Sequence, residues 1–515
     1  MGSSAKRLLF LVHRWLGIAL CVFFAMWFVS GVVMMYVGYP KLTDAERLRH
    51  LPTLDARAPL LPPARALALA GVAGPLKELR LARASAGQEV YLAVPLQPAA
   101  PAARKARPGA GTIVVDARSG ARLRTIEAED ALASAAVFAA PGTGLTYLGA
   151  MDEDAFTHSR ALDAHRPLHK VMLADPDATV LYVSGRTGEV VRDAPLQERL
   201  WNYAGAWIHW LYPFRGNVFD RYWTDIVNWL SIAGIAMALS GTVVGILRWR
   251  FRRTYRSGAR TPYTGTMMRW HHIGGLLFAL VTITWIFSGL MSMNPWRVFD
   301  SGAHAPRAEA LAGGPLVLSA ADVEPSQLLG NAQGQVRELR WIRVLGRTVV
   351  QAWSAGGQPA LLDSASARTV MIDRVALRAA SMHLLPEPPV RIEQLSKYDL
   401  HYYAREPHTM TGGGAKPLPV WRVVFADAEA TWAYVDPYTG TLVSHSDRHK
   451  RLSRWLFAML HSWDWLPLLE RRPLWDLLLI VLSIGGTVMS VTGIVIGWRR
   501  LGHKLGRWKK ASSGT

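Results

Sequence analysis

Apolar positions divide the chain into four long runs separated by mixed segments. Residues 8–37, 226–247, 268–293 and 477–498 are apolar and long enough to cross a hydrocarbon layer, which takes roughly 20 helical residues. The long segments between them, 38–224 and 294–474, carry short β-branched and aromatic clusters bounded by turn formers. Residues 90–95, 112–116, 179–184 and 189–192 read as strands, with turns at Ser119-Gly120 and Thr187-Gly188. Their counterparts in the second half are 348–353, 421–426, 431–436 and 441–444. Pro and Ala crowd residues 95–110, which predicts a disordered loop or linker.

The pattern repeats. An offset of 258 carries His13 to His271, Gly17 to Gly275, Trp27 to Trp285, Ser30 to Ser288 and Gly31 to Gly289. An offset of 252 carries Asp175 to Asp427, Tyr182 to Tyr434, His209 to His461, Gly241 to Gly493 and Gly245 to Gly497. Each half therefore reads as helix, outer α+β module, helix. The predicted architecture is a membrane protein with an α-helical four-helix transmembrane bundle, two outer α+β regions and an internal tandem duplication. An even number of crossings leaves both copies in one orientation, so the pseudo-twofold axis is parallel to the membrane normal.

Charge orients these runs. The net charge of +20 is uneven: outside the two long segments stand 16 basic and 2 acidic residues, all beside or within the apolar runs. Lys6 and Arg7 precede the first run, six arginines from Arg248 to Arg260 follow the second, and a Lys/Arg cluster follows the fourth. This is the positive-inside pattern; it places both termini in the cytoplasm and calls for no nucleic acid. The expected segments are 1–37 (cytoplasmic N-terminus and helix 1), 38–224 (outer region 1 with an interfacial helix), 225–247 (helix 2) and 248–267 (basic cytoplasmic loop). They continue with 268–293 (helix 3), 294–474 (outer region 2 with an interfacial helix), 475–498 (helix 4) and 499–515 (basic tail). The first run extends well past a signal-peptide core and reads as a retained anchor. The 21 tryptophans suit membrane interfaces. Cys21 is the sole cysteine, which excludes an intrachain disulfide, a four-cysteine iron–sulfur site and covalent haem attachment.

Of sixteen histidines, four are paired by the repeat and sit at membrane ends. His13 and His271 lie one turn inside the cytoplasmic ends of helices 1 and 3; His209 and His461 fall on amphipathic stretches beside the outer ends of helices 2 and 4. A haem takes one neutral imidazole on each axial side, so symmetry-related helices supply the same residue twice. Two non-covalent b-type haems follow, with His13/His271 and His209/His461 as iron ligands. The competing reading is that each is an interfacial histidine. His272 neighbours His271 on the chain and points about 100° away from it; the repeat register favours His271. Arg14 and Arg269 are candidate partners for haem propionates, with lipid phosphate as the alternative. Gly17, Gly31, Gly275 and Gly289 would let a flat macrocycle approach the backbone, whereas Gly241/Gly245 and Gly493/Gly497, spaced as GxxxG, suit helix packing. Tyr398, Tyr402, Tyr403 and Trp421 are weaker candidates for lining a chelate pocket.

With His13-Arg14-Trp15, Arg269-Trp270-His271-His272, the repeated Ser-Gly of helices 1 and 3 and hairpins such as Tyr434-Val435-Asp436-Pro437-Tyr438-Thr439-Gly440, the chain resembles the PepSY-associated transmembrane family. That family includes iron-regulated inner-membrane proteins and haem-containing siderophore reductases. Its modules end a strand in Asp and turn on a Gly: Asp116 with Gly120 fits, Asp363 lacks the glycine, and Ser184 replaces the aspartate before Gly188. The resemblance implies PepSY-like periplasmic regions, a bacterial inner-membrane location and reduction of Fe(III) held by a siderophore or other ferric chelate. No GxGxxG fingerprint stands in the cytoplasmic segments, so the electron donor is a separate cytoplasmic protein or a quinol. Two rival readings are a non-catalytic PepSY module that binds a peptide or peptidase, and a transporter subunit.

Overall fold

The computed structural model describes residues 2–96, 111–123, 125–409 and 412–512, with side chains up to 504 in the last helix. The loop expected at 95–110 lies outside the described residues from position 97 onward. The chain divides into two compact units, one of Met1–Gly38, Trp201–Ser301 and His449–Thr515, the other of Tyr39–Leu200 and Gly302–Arg448.

The first unit is helical. It holds α1 (Ser3–Tyr36), the end of α2 (Leu196–Asn202), α3 (Trp223–Arg248), α4 (Thr266–Leu277), α5 (Ala279–Ser292), most of α6 (Arg448–Arg454) and α7 (Leu474–Ser512). Single π-helical turns, Tyr203–Trp207 and Trp455–Met459, follow α2 and α6. The amphipathic stretches around His209 and His461 thus belong with the helices, not with the sheets. Leu20, Phe24, Phe28, Met237 and Ile286 form the unit's buried centre.

The expectation of a four-helix transmembrane bundle is corrected here. Among the described residues, three helices are long and apolar enough to cross a membrane: Ser3–Tyr36, Asp220–Arg248 and Leu474–Lys504. The run at 268–293 is instead two helices, α4 and α5, bent by 67°. The cause is local. At Phe278 the backbone leaves helical geometry (φ −100°, ψ 9°), and its ring fills the space over Gly485, where a Cβ would come within 2.1 Å of it. Hydropathy reports the length of an apolar run; it carries no signal for a backbone break inside it.

The second unit corrects the same expectation from the other side, because its strands do not form one self-contained region per half. β1 (Leu76–Ser85), β2 (Gln88–Pro95), β3 (Ile113–Asp116) and β4 (Arg122–Leu123) from the first half join β9 (Glu338–Val344), β10 (Arg347–Trp353) and β11 (Ala360–Asp363) from the second in one seven-stranded antiparallel sheet, order β11-β10-β9-β1-β2-β3-β4. The junction pairs Arg80 with Arg340, Leu79 with Trp341 and Leu81 with Leu339, so β1 meets its repeat counterpart β9. A shared sheet leaves neither strand as an open edge. It buries Leu79, Leu81, Tyr91, Leu339, Trp341 and Val350 in a single core.

Two four-stranded sheets have identical order. β5 (Leu145–Met151), β6 (Leu168–Leu173), β7 (Val180–Ser184) and β8 (Val190–Ala194) run β5-β6-β7-β8. β12 (Pro389–Leu395), β13 (Val420–Phe425), β14 (Trp432–Asp436) and β15 (Thr441–Ser446) run β12-β13-β14-β15. A helix covers each: Ala128–Phe138 packs Ala131, Ala135 and Phe138 on Val171, Leu181 and Val183, and Arg374–Ser381 packs Leu377 near Trp421, Val423 and Phe425.

Candidate functional site

The repeat-related histidines meet in two pairs. The rings of His13 and His271 have centroids 6.2 Å apart at an interplanar angle of 32°; those of His209 and His461 are 6.1 Å apart at 79°. A metal held by imidazole nitrogens sits about 2 Å from each, which sets two opposed ring centres about 6 Å apart. Rotation of a ring about its metal–nitrogen bond leaves the interplanar angle free. Both pairs therefore have the spacing of two axial ligands on one central atom.

The second nitrogen of each ring is already engaged. His13 Nδ1 lies 3.2 Å from the carbonyl of Met237, and His271 Nδ1 lies 3.1 Å from that of Met489, 252 positions on. A carbonyl only accepts, so Nδ1 carries the proton and Nε2 presents a lone pair. At the other pair the partners are hydroxyls: Ser30 Oγ to His209 Nδ1 at 2.9 Å and Ser288 Oγ to His461 Nδ1 at 3.0 Å. Ser30 gives its own hydrogen to the Met26 carbonyl at 2.7 Å and Ser288 gives its to that of Trp285 at 3.0 Å, so each serine accepts from its imidazole. All four rings are thereby set in the tautomer that binds metal through Nε2. Burial pushes His209 down to about 3, with His461 beside it adding to the shift, and His461 down to about 4, so both are neutral at physiological pH.

Local sequence explains this positioning. Ser30 and Ser288 stand seventeen residues beyond His13 and His271 and are fully buried; on α1 that spacing separates the two ends of the helix's site-forming face by about 25 Å. The π-helical turns offset the backbone just before His209 and His461, a feature that recurs at functional sites. Gly205, within the first turn, lies against Val33 of α1, where a Cβ would come within 3.0 Å.

The glycines divide by position. A Cβ on Gly241 would meet the His13 ring at 2.5 Å, and one on Gly493 would meet Cys21 Sγ at 2.6 Å and His271 at 3.2 Å. These two seat the imidazoles, a role beyond the helix packing their spacing suggests. Gly245 and Gly497 do pack, against Leu276 and Ile18. Gly17 and Gly275, one turn beyond His13 and His271, face open space, which leaves room for a flat group beside that pair. Gly31 and Gly289 lie in ordinary contact range of His209 and His461.

His272 is not placed with the pair. Its Nδ1 accepts from Thr261 Oγ1 at 2.7 Å and its Nε2 donates to the Gly245 carbonyl at 2.9 Å, so neither nitrogen is left for a metal. It lies buried between Trp249 and Tyr263 and pins the loop after α3. Arg14 is half-buried and Arg269 exposed, and neither makes a hydrogen bond or ion pair among the described residues. Trp27 and Trp285 pack at the centre of the helical unit; Trp27 Nε1 donates to the His209 carbonyl at 2.9 Å, while Trp285 lies tilted beside Phe28. In the sheet unit Tyr402, Tyr403 and Trp421 are buried and Tyr398 lies at the surface. Sequence reasoning missed Ser30 and Ser288 as histidine partners, although their repetition with Gly31 and Gly289 was visible.

Compared with known protein families, residues 10–367 match the PepSY-associated TM region. The match spans well over half of the chain and takes in His13, His209 and His271; His461 lies beyond it and is tied to them by the repeat. Among curated proteins, none matches the chain. On the extent of that match, the chain is a membrane protein and belongs to the PepSY-associated TM region family.

Proposed function

We propose that this protein is an electron-transfer protein of the bacterial inner membrane that holds two b-type haems and reduces ferric iron bound to a siderophore or related chelate at the periplasmic face. The observation that carries this reading is the pair of imidazoles about 6 Å apart at each end, each with Nδ1 hydrogen-bonded and Nε2 left over. His13 and His271 would hold one haem and His209 and His461 the other; bound there, haem supplies reversible one-electron chemistry. Met237 and Met489 carbonyls orient the first ligand pair, and Ser30 and Ser288 the second. Leu20, Phe24, Phe28 and Ile286 keep water from the region between them.

The basic loop after α3 and the basic C-terminal tail support cytoplasmic termini with the sheet unit in the periplasm. Electrons would then enter from a separate cytoplasmic donor or a quinol. Ferrous iron binds hard oxygen ligands less tightly than ferric iron, so its reduction favours release. The test is anaerobic reoxidation: the purified, dithionite-reduced full-length chain is mixed with a ferric hydroxamate or ferric catecholate, and a ferrous trap is read alongside the haem spectrum. The reading expects reoxidation with ferrous iron appearing in step. A haem-loaded protein that no ferric chelate reoxidises would remove the reductase assignment while leaving the haem sites standing.

A further inference from the structure

The segment between α3 and α4 folds back on itself, with six arginines and no carboxylate from Arg248 to Gly265. Arg250 N donates to the Arg260 carbonyl at 3.0 Å, and Tyr255 N to that of Ala259 at 2.8 Å. Tyr255 Oη donates to the Arg248 carbonyl at 2.9 Å. His272 ties the returning segment to the end of α3 through Thr261 and Gly245. Two arginines serve the fold itself: Arg248 lies over the Phe10 ring at 4.9 Å and Arg250 over the Tyr255 ring at 3.9 Å.

Three others do not. Arg252, Arg253 and Arg260, with Thr254, surround an open depression of about 410 Å³, and among the described residues none of the three guanidinium groups has a hydrogen-bond or ion-pair partner. Like charges held together without a counter-ion repel, so this arrangement is at its most stable with an anion in it. Guanidinium groups are planar forks matched to phosphate oxygens, and Thr254 adds a hydroxyl. Phe251, between Arg250 and Arg252 in sequence, is 62% exposed, as befits a residue at the hydrocarbon boundary.

We propose that Arg252, Arg253 and Arg260 form a phosphate-binding site, filled by the headgroup of an anionic phospholipid. Basic pockets beside membrane helices bind such headgroups, and each arginine near the surface contributes about fivefold in affinity. The test titrates short-chain phosphatidylglycerol, short-chain phosphatidylcholine and inorganic phosphate separately into the detergent-solubilised full-length chain, following its thermal unfolding. It compares the wild type with R252Q/R253Q/R260Q and with the charge-matched R256Q/R499Q/R500Q. The expected result is selective stabilisation by phosphatidylglycerol, weakened about 100-fold in the first triple variant and little changed in the second. Equal losses in the two variants would reduce the effect to diffuse charge and overturn the site. Saturation by inorganic phosphate with no response to phosphatidylglycerol would overturn the lipid assignment. The three side chains are exposed and unpartnered, so an unchanged midpoint without lipid confirms that the variant is folded.

Discussion

Ser30 and Ser288 show how a small side chain decides what a histidine can do. Each accepts from an imidazole Nδ1 and passes its own hydrogen to a helix carbonyl, so the neighbouring His209 and His461 keep Nε2 unprotonated. Replacing both serines by alanine is expected to weaken haem retention at that pair by 10- to 100-fold while the His13/His271 pair keeps its haem; haem content after dialysis against apomyoglobin measures this. His271 and His272 give a contrast one residue apart. His271→Ala should abolish one haem, whereas His272→Ala should leave both in place and loosen the loop after α3, read as faster proteolysis between Arg248 and Gly265.

At the same scale, the PepSY-type turns show what a motif specifies. Asp116 Oδ1 accepts from Arg118 N, Ser119 N and Ser119 Oγ, and Asp363 Oδ1 repeats this with Ala365 N, Ser366 N and Ser366 Oγ. Gly120 then takes φ 75°, but its counterpart Ala367 is forced to φ 54°. An alanine there costs roughly 1 kcal/mol or more, so Ala367→Gly should raise the unfolding free energy by about 1 kcal/mol in denaturant titration. At Gly188 the absent aspartate is replaced by Ser184 Oγ, which accepts from Arg186 N and Thr187 N.

At the scale of elements, the β1–β9 junction is held by charge as well as by packing. Glu338 is fully buried and meets Arg47, Arg80 and Arg340; Arg80 also reaches Glu189 at 3.0 Å. The three guanidinium groups hold Glu338 down to about 2 against the burial that would raise it. Its folded value is below its unfolded one, so its stabilising contribution is complete above about pH 4.5 and is lost as pH falls towards 2. Glu338→Ala should cost about 3–5 kcal/mol at neutral pH, because it strands buried arginines, and should flatten the acid limb of the stability profile. Equal acid sensitivity in wild type and variant would contradict this role.

Strand pairs flanking tight turns were legible element by element, because alternation and turn residues are local signals. The edge strands β5 and β12 and the junction strands β1 and β9 were not. In β1 and β9 the alternation is interrupted by Arg80 and Glu338, which pair with residues over a hundred positions away, and only the folded sheet reveals why these charged side chains belong there. The break at Phe278 was hidden for a similar reason: its cause, Gly485, is on another helix.

At the scale of the whole chain, the histidine pairs were legible because the repeat marked equal positions, and proximity followed once the helices packed. What the repeat left open was protonation and orientation, which depend on the Met237 and Met489 carbonyls and on the two serines. Each pair is proposed to hold one haem. Haem content per chain, by pyridine haemochrome, in the purified full-length wild type, His13→Ala, His209→Ala and the double variant tests this without intermediate steps. Two, one, one and none are expected; a wild type without b-type absorbance, or a double variant that retains it, rules the haem pairs out.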